Sequence, residues 1–284
     1  MPELGPDHLV FNTTNIVGGG VREIVAAAVA GEYDAISIWP HDVDRARSEG
    51  LDLPDIRLLL EDNGLVVSDV DPLLGWSDLV LPEPGESMFD LAPEDAFFEI
   101  GEALEARSIN VVQGFGAHLD LDRAAVDLAR ICRRAREHGL LVTFEFLPWS
   151  GVPNVTVCLD LLERSGCDNA TIMFDSWHWF RGARDLDALQ AIPGERIGST
   201  QFNDAPEQPS ENLPVEAMEA RLSAGEGVIP LVDLVRTLDE IGSRAPIGVE
   251  VIHKRHEEMD PAEVGRYTAA DMRRVLSEAR GHSS

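Results

Sequence analysis

The 284 residues carry 51 acidic against 23 basic side chains, a formal net charge of −28, with 44% hydrophobic residues. So acidic a surface repels phosphate backbones and anionic membranes, which argues against nucleic acid as a partner. No apolar stretch approaches the ~20 residues of a bilayer span, and the N-terminal MPELGPDHLV lacks the basic-then-apolar order of a signal peptide.

Apolar runs of strand length alternate with segments of helical period along the whole chain. Strands are expected at 8–14 (HLVFNTT), 35–39 (AISIW), 65–71 (LVVSDVD) and 109–115 (INVVQGF). Four more are expected at 140–146 (LLVTFEF), 170–175 (ATIMFD), 197–203 (IGSTQFN) and 247–252 (IGVEVI). Between them lie helical patterns such as VREIVAAAVAGE, PEDAFFEIGEALEAR and LDRAAVDLARICRRAREHG. Eight such units predict a parallel sheet closed into a single (β/α)8 TIM barrel occupying 1–284. An open doubly wound sheet would show a GxGxxG turn after its first strand, and NIVGGGVREI lacks that spacing. The tail RGHSS reads as loose. Cys132, Cys158 and Cys167 form no CxxC pair, so a reducing, cytoplasmic setting is expected.

Side chains alternate between the interior of a barrel and its helix-facing side. In VTFEF, Val142, Phe144 and Phe146 share one face and Thr143 and Glu145 the other. The same alternation turns Asp175, Gln201 and Glu250 inward at the ends of the next three strands, at the C-terminal mouth where barrel enzymes keep their chemistry. Three carboxylates in one apolar mouth require a compensating positive charge. A divalent cation on Glu145, Asp175, Gln201 and Glu250 supplies it, and an oxygen ligand set favours Mn²⁺ or Mg²⁺, with Co²⁺ as a substitute, over zinc. The competing expectation is pairing with buried arginines, although none of the four strands contains one.

The stretch TIMFDSWHWFRG then has a reading. Asp175 closes its strand as a ligand, and a helical turn puts His178 on the same side three residues later. His178 is either a substrate contact or a further ligand. Trp39, Trp76, Trp149, Trp177 and Trp179 all follow strand ends; the first four are expected to wall a substrate pocket. His41, His118 and His253 fall in the same loops. Arg221 is a candidate to hold an anionic group of the substrate, with a plain loop salt bridge as the alternative.

At these residues the chain resembles the xylose-isomerase-like TIM barrels, specifically the sugar phosphate isomerase/epimerase family, from about Leu9 to Leu276. The marks are FEFLP after strand five, DSWH after strand six, QFNDAP on strand seven, the loop RLSAGEGVIPL and VEVI on strand eight. The resemblance implies proton transfer by Glu145 and Glu250, metal ligation by these two with Asp175 and Gln201, and substrate contact by His178. Gln201 stands where many members have His, and the His-x-x-Glu-x-x-Arg pattern of the ketose epimerases is absent. The expected activity is a metal-dependent isomerase or epimerase, or a dehydratase, acting on a sugar, cyclitol or related polyhydroxy carbonyl compound. A lyase acting on a glycoside or cyclitol and a non-catalytic sugar-binding or partner subunit are the alternatives. Homo-oligomerisation is left open. Phosphoester hydrolysis of the endonuclease IV kind would require a His-rich multi-metal cluster and a basic groove, and the sequence offers neither.

Overall fold

The computed structural model describes residues 2–81 and 91–281; the end of the tail, 282–284, lies outside them. Eight parallel strands run β1 (Leu9–Phe11), β2 (Ala35–Ile38), β3 (Val66–Leu73), β4 (Ser108–Val112), β5 (Leu141–Glu145), β6 (Ala170–Asp175), β7 (Ile197–Gln201) and β8 (Ile247–Val249). Their order in the sheet is β7-β6-β5-β4-β3-β2-β1-β8. Phe202 closes the ring: its N–H donates to Gly248 O at 2.8 Å, and it accepts from Glu250 N at 3.1 Å. The expected barrel is therefore present. The strands start within a residue of their expected positions, but several end earlier, and Gln113, Asn203 and Glu250 continue past the ladder as loop backbone.

The helices that cover the barrel follow from the sequence period. In α1 (Leu121–Glu137), Ala124, Leu128, Ile131, Cys132 and Ala135 are buried along one stripe, and Asp120 caps the N-terminus by accepting from Asp122 N and Arg123 N. That spacing of apolar residues is the one a helix needs to face a sheet. The outward residues of the strands, among them Val142, Phe144, Ile172 and Phe174, are fully buried against these helices.

The inward face is polar. Asp69, Ser108 and Ser199 share hydrogen bonds at 2.5 and 2.7 Å near the N-terminal end of the barrel, and Arg107 reaches Gly198 O from below. Buried polar groups are tolerated when each has a partner. Along β3 the alternation places Asp69 low and Asp71 one step higher, toward the mouth. All three cysteines are free, and no helix among the described residues is long and apolar enough to cross a membrane.

Candidate functional site

The strand ends build a charged floor. Glu145 ends β5, Asp175 ends β6 and Gln201 ends β7, while Glu250 follows β8 directly; all four are at least 94% buried. Asp175 also caps α2 (Ser176–Arg181): its Oδ1 accepts from His178 N at 2.8 Å. One carboxylate thus ends the strand, starts the helix and turns His178 inward, which is why the chain breaks its apolar run at that residue. His178 is buried, and its Nε2 lies 3.1 Å from Glu145 Oε1. One ligating atom each from Glu145, Asp175 and His178 falls within 4.8 Å of the others.

Arg221 lines the cavity from the segment before the glycine loop. It lies outside the helices and strands, after α3 (Leu213–Glu219), and pairs not with a loop residue but with the floor. Nη1 contacts Asp175 Oδ2 at 2.7 Å and Glu250 Oε2 at 2.8 Å. Pairing of these carboxylates with a buried arginine therefore occurs, through a residue no strand supplies. Nε donates to Ala217 O, and the backbone N–H donates to Ile252 O. The loop behind it is fixed by Asp204, whose carboxylate accepts from the N–H groups of Gly225, Gly227 and Ile229. A Cβ on Gly227 would sit 2.2 Å from Ala205 O, so glycine is required where that loop crosses the chain.

Two floor residues, Asp71 and Asn110, were not expected from the sequence. Asp71, at the top of β3, is buried; its Oδ1 accepts from Asn110 Nδ2 at 2.8 Å, and the same amide reaches Glu145 Oε2 at 2.7 Å. Asn203 Nδ2 donates to Asp175 Oδ2 at 3.1 Å. The signal for Asp71 was present in VVSDVD, where two aspartates two apart interrupt an apolar strand on one face.

Four carboxylates, Asp71, Glu145, Asp175 and Glu250, therefore face one guanidinium. Burial and the charges of Glu145 and Glu250 push Asp71 well above the usual carboxylate range. Burial likewise raises Glu250, against the pull of Arg221, to about 8. Burial acts upward on Asp175 as well, but Arg221, His178 and the hydrogen bonds outweigh it and hold that residue low. Gln201 Nε2 faces two acceptors, Asp71 Oδ2 at 3.4 Å and Glu250 Oε1 at 3.3 Å, and its Oε1 is buried without a hydrogen-bond partner. A surplus of negative charge and an orphaned amide oxygen suit a divalent cation.

Above the floor is a cavity of about 390 Å³ whose walls include Trp39, Leu74, Phe115, Trp149 and Ile252, with Asp71, Glu145, His178, Arg221 and Glu250 below. Of the four tryptophans expected to wall it, Trp39 and Trp149 do. Trp76 does not: it is fully buried, donates Nε1 to Val112 O and meets Phe144 edge-on at 5.5 Å. Trp177 is fully buried and donates Nε1 to Glu216 Oε1. A strand-end position does not fix which way a side chain turns, and both indoles found N–H partners in the protein body. His41 and His118 are exposed and His253 is half-buried, away from the floor.

A family profile described as xylose isomerase-like TIM barrel matches residues 24–274. The 3-dehydroshikimate dehydratase of Pseudomonas aeruginosa is 25% identical over 244 residues, covering 84% of this chain but only 37% of that protein. A putative hydroxypyruvate isomerase of Streptomyces coelicolor is 25% identical over 245 residues, 79% of this chain and 83% of its own. Among solved structures, an IolI protein with a bound zinc atom superposes with a TM-score of 0.81 at 16% identity, covering 96% of this chain and 99% of the other.

Proposed function

The chain belongs to the xylose isomerase-like TIM barrel family, and from that premise we propose that it is an isomerase or epimerase of a small polyhydroxy carbonyl compound, working with a divalent cation. The observation that carries the reading is the surplus of buried carboxylates around one cavity, with Gln201 Oε1 unpartnered among them. Glu145, Asp175, Gln201 and Glu250 would hold the cation, with His178 near enough to join them. Mn²⁺ is the foremost candidate for an oxygen-rich set. Bound there, the cation supplies Lewis acidity to a carbonyl or hydroxyl oxygen and offsets negative charge that develops on it.

The proton work falls to the chain's own groups. Glu145 is the base: it receives hydrogen bonds from Asn110 and His178, which fix its orientation toward the cavity. Glu250 would return the proton at its carboxyl oxygen; burial raises its affinity for a proton to about 8 in the metal-free protein, and a bound cation would lower it. Two carboxyl groups held on β5 and after β8 border one cavity and form an acid and base pair. Trp39 and Trp149 with the aliphatic wall exclude water and accept an apolar part of the substrate, such as an aromatic aglycone.

Elimination of water is the second reading. It begins with the same α-proton abstraction, and the protonated Glu250 would then serve the departing hydroxyl. The named activity of the Pseudomonas relative, whose match covers most of this chain, supports keeping it. Turnover of ketoses, inososes and their glycosides with Mn²⁺ in D₂O separates the two. Deuterium at the carbon beside the carbonyl with the hydroxyl count intact marks isomerisation, and loss of water marks a lyase. Binding without turnover across the panel would make the chain a sugar-binding subunit instead.

A further inference from the structure

Arg221 bridges two carboxylates in an unusual way. Arginine ordinarily grips a carboxylate with two parallel N–H groups, whereas here one nitrogen, Nη1, serves both Asp175 and Glu250. A single donor at bonding distance from carboxylates on two different strands marks a point on which both oxygens converge. The second terminal nitrogen gains little. Nη2 lies 3.4 Å from His178 Nε2, the atom that faces Glu145 Oε1 at 3.1 Å and must carry its proton there. Two donors then face each other.

Removing the guanidinium would not leave the carboxylates without partners. Asp175 keeps His178 N and Asn203 Nδ2, and Glu250 keeps Thr14 Oγ1 and Gln201 Nε2. Each would gain one free oxygen lone pair directed at the vacated point. The backbone of Arg221 has no need to move, because Ile252 and the Asp204-anchored loop hold it on both sides. The side chain lines the cavity and has room to turn into it.

We propose that Arg221 is an internal counter-ion that holds the cation's place in the metal-free protein, and that an entering divalent cation displaces its guanidinium from Asp175 and Glu250 toward the substrate. The inference rests on the reading above that these residues bind a cation. Its functional consequence is ordered assembly: the arginine becomes available to a substrate oxygen only after the metal has bound, and the carboxylates avoid mutual repulsion before that.

The test is titration of Mn²⁺ into metal-free protein by calorimetry and by the electron paramagnetic signal of free Mn²⁺, for wild type, Arg221→Met and Arg221→Lys. Removal of a competing positive charge a few ångströms from the cation should tighten Mn²⁺ binding about tenfold or more in Arg221→Met. Arg221→Lys keeps the charge but bridges less well, so it should bind a few-fold more tightly than wild type, and it remains decisive if the methionine variant does not fold. In wild type labelled with ¹⁵N-arginine, Mg²⁺ should shift the Arg221 Nε–H resonance. Mn²⁺ binding equal to or weaker than wild type in the folded variants, or an unmoved resonance at saturating Mg²⁺, makes Arg221 a permanent bridge and overturns the proposal while leaving the cation reading intact. No Mn²⁺ binding by wild type or by either folded variant removes both.

Discussion

Arg181 and Arg221 lie against the same indole, their guanidinium carbons 5.9 and 5.7 Å from the Trp177 ring. Both are buried, and both are ion-paired. Arg181 meets one carboxylate, Glu216 Oε1 at 2.6 Å, and donates also to Pro206 O. Glu216 in turn accepts from Trp177 Nε1 and caps the loop at Ser210 N. One charge answers one charge, and the neighbouring bonds tie α2, α3 and the loop between them. Arg221 meets two carboxylates, Asp175 and Glu250, at an open cavity that Asp71 and Glu145 also border. Burial of an ion pair says little about purpose by itself; the charge balance and the presence of a void separate a strut from a working site.

That contrast is open to direct attack. The largest effect is expected at the strut: Arg181→Met strands Glu216 in the interior and should cost about 3–5 kcal/mol of stability, read by urea unfolding. Arg221→Met should cost clearly less, since Arg221 borders an open cavity whose water can solvate the freed carboxylates. Equal losses would put both arginines in one class.

Next in size, Glu145→Gln and Glu250→Gln should each lower kcat about 100-fold, or about 2.7 kcal/mol in the barrier, measured at saturating Mn²⁺. Their unfolding free energies should stay within about 1 kcal/mol of wild type, because each removes one of a surplus of buried charges. Glu216→Gln should show the reverse, with stability lost and kinetics of the folded enzyme retained. Wild-type turnover in both metal-loaded floor variants would eliminate the proton-transfer pair and turn attention to His178.

A pH series sharpens the same point. The folded protein binds a proton at Glu250 more tightly than an unfolded chain does, about 8 against an ordinary 4.5. The group therefore favours the folded state fully below its unfolded value, and that contribution is lost as pH rises toward 8. Metal-free protein should lose on the order of 4 kcal/mol between pH 5 and pH 9 from this source, and Glu250→Gln should flatten the slope in thermal melts. A melting temperature that rises steadily across that range in wild type would contradict the charge surplus.

The smallest expected kinetic effect extends the comparison to the indoles. Trp149→Ala, on the cavity wall, should raise KM about tenfold for a substrate carrying an apolar group and cost little stability. Trp76→Ala should leave the kinetics of folded protein unchanged yet destabilise it by about 3–5 kcal/mol. Interchanged outcomes would return Trp76 to the pocket and Trp149 to the core.

Two kinds of information separate along the chain. Local period and alternation are properties of neighbouring residues, so the sequence by itself determined eight strand–helix units and the inward direction of Glu145, Asp175, Gln201 and Glu250. It also placed His178 beside Asp175, three residues on. What lies across the barrel from a strand end is set by closure, which no local pattern encodes. Asp71 from β3 meets Gln201 from β7 only because the ring brings those strands together across the barrel, while Asn110 links it to Glu145 from the neighbouring β4. Arg221 reaches Asp175 across 46 residues from a segment with neither helical nor strand period. Trp76 and Trp177 turned into the body rather than the cavity, for hydrogen-bond partners far away in sequence. The direction of a side chain on a strand follows from backbone geometry. The identity of its opposite number depends on the path of the whole chain, so the tertiary structure alone decided that the counter-charge on this floor is Arg221.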